Sequence, residues 1–215
     1  MRIIFAFIFL SSCIQKSDKD FILENGDLLF QDLDSSPLCD AIENVTPGFD
    51  NMNFSHVGIV TIEDGKPMVY EAYPPNVQLV DLKVFLERSL DINNKPKVIV
   101  GRLKKEYHKS IKSALRFIKN KVGTKYDELF LYENNEYYCS ELLYEAFLKD
   151  SIFELQPMNY KYKDSNEFQE QWINHFKKLD SEIPQGKLGI NPGTMSISEK
   201  IEIVHIFGEV SKKSN

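Results

Sequence analysis

The alternation of apolar and polar positions is clearest in two neighbouring segments, residues 54–62 and 68–73. Both are rich in β-branched and aromatic residues, and the residues that join them contain Asp64-Gly65. An Asp-Gly pair between two such runs is a strong signal for a two-residue hairpin turn, because both turn positions need a positive φ. The pattern therefore predicts two antiparallel strands joined by a tight turn.

A two-residue turn fixes which residues of the two strands face each other. Counting outward from this turn places Gly58 opposite Glu71. It also places His56 opposite Tyr73, so that His56 and Glu71 are diagonal neighbours on one face of the sheet. Gly58 is expected to leave room for these two side chains to meet. A carboxylate beside an imidazole forms two of the three parts of a nucleophilic triad.

A third segment predicts a helix that begins at a cysteine. Leu142, Leu143, Ala146 and Phe147 follow helical spacing, and Cys139 lies on the same face at the N-terminal end. The positive end of the helix dipole favours thiolate over thiol, and the free N–H groups there can hold an oxyanion. Cys139 is thus the candidate for the third part of the triad. The alternative is a small buried residue at the start of a core helix.

Other elements follow from periodicity and from terminal signals. We predict a strand at 26–30, a helix that begins after Asp81, a strand at 97–103, a helix at 107–122 that ends at Gly123, and a strand at 199–207. The residues 164–167 resemble a capping box that opens a helix with Trp172 and Phe176 on its inner face. Mixed strands and helices of this kind indicate an α+β protein with an antiparallel sheet packed against helices.

The N-terminus has the pattern of a targeting segment and is not expected to be part of the fold. An apolar run at 3–10 is too short to cross a bilayer and fits the hydrophobic part of a secretory signal. Leu10-Ser11-Ser12-Cys13 resembles a bacterial lipobox, so we expect residues 1–12 to be a lipoprotein signal peptide and Cys13 to carry lipid. Residues 13–25 would form the anchor and tether. An ordinary secreted protein and an uncut N-terminal anchor are the alternatives.

Composition narrows the classes of partner. The 215 residues are 42% hydrophobic and 27% charged, with a net charge of −6, which suits one globular domain and argues against nucleic acid as a partner. With Cys13 lipidated, Cys39 and Cys139 remain, and a disulfide between them is the structural alternative to a catalytic Cys139. The sequence lacks paired CxxC motifs, so we expect no zinc site and no cofactor.

Several of these motifs together resemble a known family. They are Gly26-Asp27-Leu28-Leu29-Phe30, Ser55-His56-Val57-Gly58-Ile59-Val60, Val69-Tyr70-Glu71-Ala72, Gly123-Thr124-Lys125-Tyr126-Asp127 and Tyr138-Cys139-Ser140-Glu141-Leu142. In order and spacing they resemble the YiiX/YebB-type hydrolases, which are circularly permuted relatives of the NlpC-type cell-wall peptidases and, more distantly, of the lecithin retinol acyltransferase-like enzymes. The resemblance implies a permuted papain-like catalytic core over residues 26–150. Residues 151–215 would be a C-terminal extension packed on that core.

The resemblance also implies roles for residues. Cys139 would be the nucleophile, His56 the base and Glu71 the residue that orients the base. Tyr73, across from His56, and Tyr126, within the family pattern, are expected to bind substrate, although either could simply pack beside the cleft.

The function expected from these roles is a membrane-anchored cysteine hydrolase of amide bonds in peptides or cell-wall peptides, held in the bacterial cell envelope and facing the periplasm or the cell surface. Two alternatives stay open within the same fold, a lipid ester or thioester hydrolase or acyltransferase, and a non-catalytic binding lipoprotein. A metal site built from the three triad residues is a further and less favoured alternative, because their spacing differs from common zinc motifs.

Overall fold

The computed structural model describes residues 21–132 and 134–213. At its centre is a six-stranded sheet with the order β4-β3-β2-β1-β5-β8, in which every neighbouring pair is antiparallel. A separate pair, β6 and β7, lies outside this sheet. The strands are β1 (Leu28–Gln31), β2 (His56–Glu63), β3 (Lys66–Tyr73), β4 (Asn76–Asp81), β5 (Val98–Leu103), β6 (Gln156–Pro157), β7 (Leu188–Gly189) and β8 (Ile201–Ile206).

Short helices cover the sheet, as the predicted α+β class requires. The α-helices are α1 (Pro37–Val45), α2 (Leu82–Leu86), α3 (Ile111–Lys119), α4 (Cys139–Phe147), α5 (Glu170–Lys178) and α6 (Pro192–Ser196), and the 3-10 helices are Phe49–Asn51, Lys105–Ser110 and Leu148–Asp150. Helix α4 packs against β2, β3 and α3. Its apolar residues Leu142 and Leu143 are fully buried there, so the N-terminal end of α4 is held over the sheet.

The predicted β2–β3 hairpin is confirmed. Glu63 pairs with Lys66, and the register continues to Ile59 opposite Tyr70, as the two-residue turn requires. Asp64 and Gly65 both have positive φ, 49° and 76°, which is the conformation of the turn that matches the strand twist. The Asp-Gly turn thus determines which face of each strand points to the site.

Gly58 has a different role from the expected one. A Cβ atom at this position would lie 2.6 Å from Val69 Cγ1 and 2.9 Å from Phe85 Cε2. These distances are shorter than van der Waals contact, so the space left by the glycine is filled by a ring from α2. The Phe85 ring in turn lies 5.5 Å from the His56 ring. Gly58 therefore brings α2 close to the sheet and supports the histidine indirectly.

The Gly26-Asp27 motif has a structural use at the start of β1. Gly26 has φ +90° and donates its N–H to Val60 O at 2.9 Å. The buried Asp27 carboxylate accepts from Arg102 Nε at 2.7 Å and from Arg102 Nη2 at 2.8 Å. This bidentate ion pair connects the turn before β1 to strand β5. The two strands β1 and β5 are neighbours in the sheet.

The helix predicted at 107–122 is shorter and begins differently. Residues Lys105–Ser110 form a 3-10 helix, and α3 runs only from Ile111 to Lys119. The Ser110 hydroxyl donates to Tyr107 O, a local bond that competes with regular α-helical geometry. Val122, the last residue of the predicted helix, is 48% exposed.

The capping box predicted at 164–167 is wrong. The Ser165 hydroxyl accepts from Glu167 N–H, two residues later, and closes a turn instead of a helix. Helix α5 begins at Glu170, and it buries Trp172 and Phe176 as predicted. Strand β4 was not predicted, because its residues lack a clear alternation and are recognised only by their pairing with β3.

The last predicted strand is confirmed, and it belongs to the central sheet. β8 pairs with β5, so residues beyond 150 complete the sheet as well as packing on it. The domain bounds 26–150 and 151–215 stay a prediction. The signal peptide, the lipidation at Cys13 and most of the tether lie outside the described residues. Across the described ranges, no helix is long and apolar enough to cross a membrane.

Candidate active site

Cys139 is the first residue of α4, and its side chain is buried. Tyr138 before it has extended backbone dihedrals, −90° and 170°, so the chain turns into the helix at this point. The N–H groups of the first turn of a helix have no acceptor within the helix and point toward its N-terminal end. The thiol thus lies at the positive end of a nine-residue helix.

His56 of β2 and Glu71 of β3 meet beside Phe85 of α2, whose ring lies 5.5 Å from the imidazole. His56 Nε2 lies 2.7 Å from Glu71 Oε2, and both side chains are buried. Cys139, at the start of α4, lies close enough to His56 to raise the pKa of its imidazole. Since Glu71 engages Nε2, Nδ1 is the ring nitrogen left to meet the thiol. The structure thus brings the three predicted residues together in the order thiol, imidazole, carboxylate.

His56 and Glu71 each shift the pKa of the other. Burial acts to lower the pKa of His56, but hydrogen bonds from the imidazole to Cys139 and Glu71 outweigh it and raise the pKa to about 9. Burial acts to raise the pKa of Glu71, but its bonds to His56 and Arg88 outweigh that effect and lower the pKa to about 2. At neutral pH the imidazole is therefore protonated and the carboxyl is ionised.

Arg88 is a part of the site that the sequence reasoning missed. Its guanidinium donates from Nη1 to Glu71 Oε2 and from Nη2 to Glu71 Oε1, each at 2.5 Å. Gln78 from β4 donates to Glu71 Oε1 at 2.9 Å. A signal for this residue was present in the sequence, because Arg88 lies three residues after the apolar Phe85 in the region of the helix predicted after Asp81. The fork geometry of arginine suits a buried carboxylate that also accepts from histidine.

The two tyrosines assigned to substrate binding lie in different places. Tyr73 forms an edge contact with His56 at 5.5 Å between ring centroids, and Arg88 lies 4.1 Å above the Tyr73 ring. Tyr73 thus packs within the charged cluster around Glu71. Tyr126 lines a cavity together with Cys139. Burial and the nearby charges of Cys139 and Asp127 raise the pKa of Tyr126 well above its usual value, so its hydroxyl stays protonated.

A small cavity of about 40 Å³ lies beside Cys139. Its walls come from α1, from the segment before α4, and from residues between 158 and 192. Ser140 donates to Ile190 O at 2.9 Å, and Ile190 N–H donates to the Tyr138 hydroxyl at 3.1 Å. The residues on both sides of Cys139 therefore hold the C-terminal segment against the site. Apolar side chains that line the cavity include Ile42, Val45, Phe130, Met158, Ile190 and Pro192.

Two alternatives from the sequence gave Cys139 a structural role, in a disulfide with Cys39 or as a metal ligand. Cys39 and Cys139 are both free thiols, and the Cys39 sulfur lies 3.7 Å from the Ser35 hydroxyl and 3.6 Å from the Ser36 hydroxyl. Within the described part of the chain, no group of three or more His, Cys, Asp and Glu side chains is arranged to hold a metal ion.

Comparison with known proteins places the chain in a family. Residues 22–205 match the sequence profile of a family described as permuted papain-like amidases, YaeF/YiiX, C92 family. The uncharacterized protein YiiX of Escherichia coli strain K12 is 28% identical over 129 residues, which are 58% of this chain and 57% of that protein. The matched segment thus spans little more than half of that relative.

A solved structure shares the fold. The crystal structure of the metalloprotein yiiX from Escherichia coli O157:H7 superposes with a TM-score of 0.71 at 20% identity, over 86% of this chain and 98% of that chain. The permuted papain-like fold class implied by the sequence resemblance is confirmed, and so is the resemblance itself.

Replacing Arg88 by methionine should destabilise the protein by roughly 3 kcal/mol at pH 7, because the fully buried Glu71 carboxylate loses a bidentate partner. The pKa of Glu71 should rise in the variant, since burial then dominates. The unpaired carboxyl can bind a proton as the pH falls, so the stability gap should shrink between pH 7 and pH 4. Urea unfolding at both pH values measures this.

Lys83→Met is the matched control for Arg88→Met. Lys83 lies in α2 and pairs with Glu87 at 3.7 Å on the surface, with 80% of its side chain exposed. A surface pair of this kind contributes about 0.5 kcal/mol or less, so the control should unfold almost like the wild type at both pH values. Equal effects of the two substitutions would show that Arg88 does not stabilise the ionised Glu71.

Proposed function

The chain belongs to the YaeF/YiiX family of permuted papain-like amidases, and we propose that it is a membrane-anchored cysteine amidase that acts on peptide or cell-wall peptide substrates. Cys139 is the nucleophile of this proposal, His56 the general base and acid, and Glu71 the residue that orients His56. The family is one of papain-like amidases, as the sequence predicted. The membrane anchor, the catalytic triad and the substrate class go beyond the family assignment and belong to this proposal.

The observation that carries the proposal is the buried row of Cys139, His56 and Glu71. The carboxylate holds Nε2 of the imidazole at 2.7 Å, which fixes the orientation of the ring. The other nitrogen is left to exchange a proton with the thiol, and the raised pKa of His56, about 9, favours the imidazolium at neutral pH. A thiolate is the reactive form of cysteine, so this arrangement supports nucleophilic catalysis.

The mechanism follows from these positions. The Cys139 thiolate attacks the amide carbonyl, and N–H groups at the start of α4 donate to the oxyanion that forms. The His56 imidazolium gives its proton to the leaving amine as the C–N bond breaks, which leaves a thioester on Cys139. Neutral His56 then takes a proton from water, and the hydroxide attacks the thioester and releases the acid.

A lipid acyl ester or thioester is a second candidate substrate class. The observation in its favour is the cavity beside Cys139, which has many apolar side chains on its walls. The same thiolate chemistry would transfer or hydrolyse an acyl chain. A lipid anchor at Cys13 would hold the protein at a membrane and suits both substrate classes.

The triad predicts a thiol that reacts fast at low pH only while His56 is present. Alkylation of the whole chain by iodoacetamide at pH 6, followed by peptide mapping, should label the Cys139 peptide at least about tenfold faster in the wild type than in His56→Ala. Cys39 is an internal control, because its labelling should not change. His108→Ala is a matched control, since His108 binds Leu103 O and lies outside the row. Equal labelling of Cys139 in His56→Ala would refute the Cys–His pair.

The substrate class predicts which acyl group is found on Cys139. After brief incubation with cell-wall peptide fragments or with phospholipid and acyl thioesters, acid quenching and mass spectrometry should detect a peptidyl adduct on Cys139. Free amine should appear with the amide substrates, and Cys139→Ala should abolish both signals. A fatty acyl adduct without a peptidyl adduct would favour the lipid alternative. No adduct with either class would favour a binding lipoprotein.

Lipidation predicts that membrane attachment depends on Cys13. In a bacterial host the wild type should partition into the detergent phase of a Triton X-114 extract, and Cys13→Ser should not be processed to the lipidated form. A wild type found only in the aqueous phase would indicate ordinary secretion. Detergent partition of both proteins would indicate an uncut N-terminal anchor.

A further inference from the structure

The cavity beside Cys139 has an uncharged lining. Its residues, as far as the structure describes the chain, include no Asp, Glu, Lys, Arg or His. Neutral walls of this kind disfavour a charged group of a substrate, because the cost of removing that charge from water is not offset by an opposite charge. The occupant is therefore expected to be neutral at the point where it enters the cavity.

Polar groups around this cavity are mostly satisfied by the protein itself. The Ser140 hydroxyl donates to Ile190 O, and the Tyr138 hydroxyl accepts from Ile190 N–H. The Thr46 hydroxyl donates to Ile42 O at 2.9 Å. These groups fix the walls and offer little to a ligand.

Tyr160 and Trp172 are the exceptions. Both line the cavity, and they are 1% and 3% exposed. The Tyr160 hydroxyl and the Trp172 indole N–H have no hydrogen-bond partner among the described residues. Their rings cross at 86° with centroids 4.9 Å apart, so the two groups belong to one wall. A buried donor without an acceptor is unfavourable, because it has lost its hydrogen bonds to water without gaining others, so such groups need an explanation.

The Asp127 carboxylate near this wall disfavours a negatively charged ligand. Burial raises the pKa of Tyr160, and the charge of the Asp127 carboxylate adds to this effect, so the Tyr160 hydroxyl keeps its proton and remains a donor. Backbone N–H groups of Leu129 and Leu131 donate to Asp127 at 2.8 and 2.7 Å. A second anion beside this carboxylate would be repelled, whereas a neutral oxygen acceptor would not.

We propose that the cavity is a substrate pocket for an uncharged, largely apolar group that carries a carbonyl oxygen, and that Tyr160 and Trp172 donate hydrogen bonds to this oxygen. The proposal rests on Cys139 as the nucleophile of the proposed amidase, because it names what binds beside that residue. A side chain with a neutral amide, or a residue whose amine is acylated, has this chemistry. A plain alkyl chain does not, since it would leave both donors unpaired.

Ligand binding can be measured without turnover. Trp172 is the single tryptophan of the chain, so its fluorescence reports on the cavity directly. The full chain with Cys139→Ala is titrated with N-benzylacetamide, with butylbenzene, which has the same shape without the carbonyl oxygen, and with 4-phenylbutyrate, which is an anion. N-benzylacetamide should bind at least about fivefold more tightly than either of the others, as expected for a hydrogen bond in a buried site.

Tyr160→Phe tests the donor itself in the same background. This change keeps the ring and removes only the hydroxyl, and it should weaken N-benzylacetamide about fivefold or more while leaving butylbenzene within twofold. Tyr162→Phe is the matched control, because Tyr162 is 42% exposed, and it should change neither affinity. Should Tyr160→Phe fail to fold, the ligand preference of the parent protein still decides the matter.

Three results would overturn the proposal. They are equal affinity of the parent for N-benzylacetamide and butylbenzene, tighter binding of the anion, and an unchanged preference in Tyr160→Phe. None of them depends on catalysis, so a failed pocket is distinguishable from a failed amidase. If the wild type formed no acyl adduct on Cys139 but the Cys139→Ala protein still preferred N-benzylacetamide, the proposed function would be refuted and the proposed pocket would stand.

Discussion

The fold around the site depends on one buried carboxylate. Glu71 is fully buried in β3, and an ionised carboxyl can remain there only while donors surround it. His56 from β2, Gln78 from β4 and Arg88 after α2 supply them. The need to satisfy Glu71 therefore joins three neighbouring strands and a helix, and it orients the imidazole. Arg88 also lies over Tyr73, so aromatic packing and charge act on the same cluster.

A second constraint is the placement of α4 across β2 and β3. Leu142 and Leu143 are fully buried in that contact, and their positions along the helix fix where Cys139 lies. The apolar face thus does two things, since it stabilises the helix and brings the thiol to the imidazole. Most helical stability in proteins comes from such packing and little from intrinsic propensity. The thiol of Cys139 and the imidazole of His56 are neighbours only because α4 packs on β2 and β3.

The residues after 150 take part in both the sheet and the site. β8 completes the central sheet beside β5, while Ile190 is bound by the two residues that flank Cys139. Trp172 and Tyr160 add an aromatic wall to the cavity. Residues after 150 therefore supply both a strand of the central sheet and part of the cavity wall beside the thiol.

The sequence by itself determined the features that local pattern controls. These are the β2–β3 hairpin with its register, the helix that begins at Cys139, the strand that became β8, and the mixed antiparallel class, since each depends on turn chemistry or on periodicity within a few residues. Local pattern failed at residues 164–167 and at the start of α3, where serine hydroxyls bond to nearby backbone and alter the helix. Only the tertiary structure decided that Arg88 holds Glu71, that β4 pairs with β3, and that Tyr160 and Trp172 lie beside Cys139. Those contacts join residues far apart in the chain, and their partners are chosen by packing and by the need to satisfy buried charge, which no short stretch of sequence encodes.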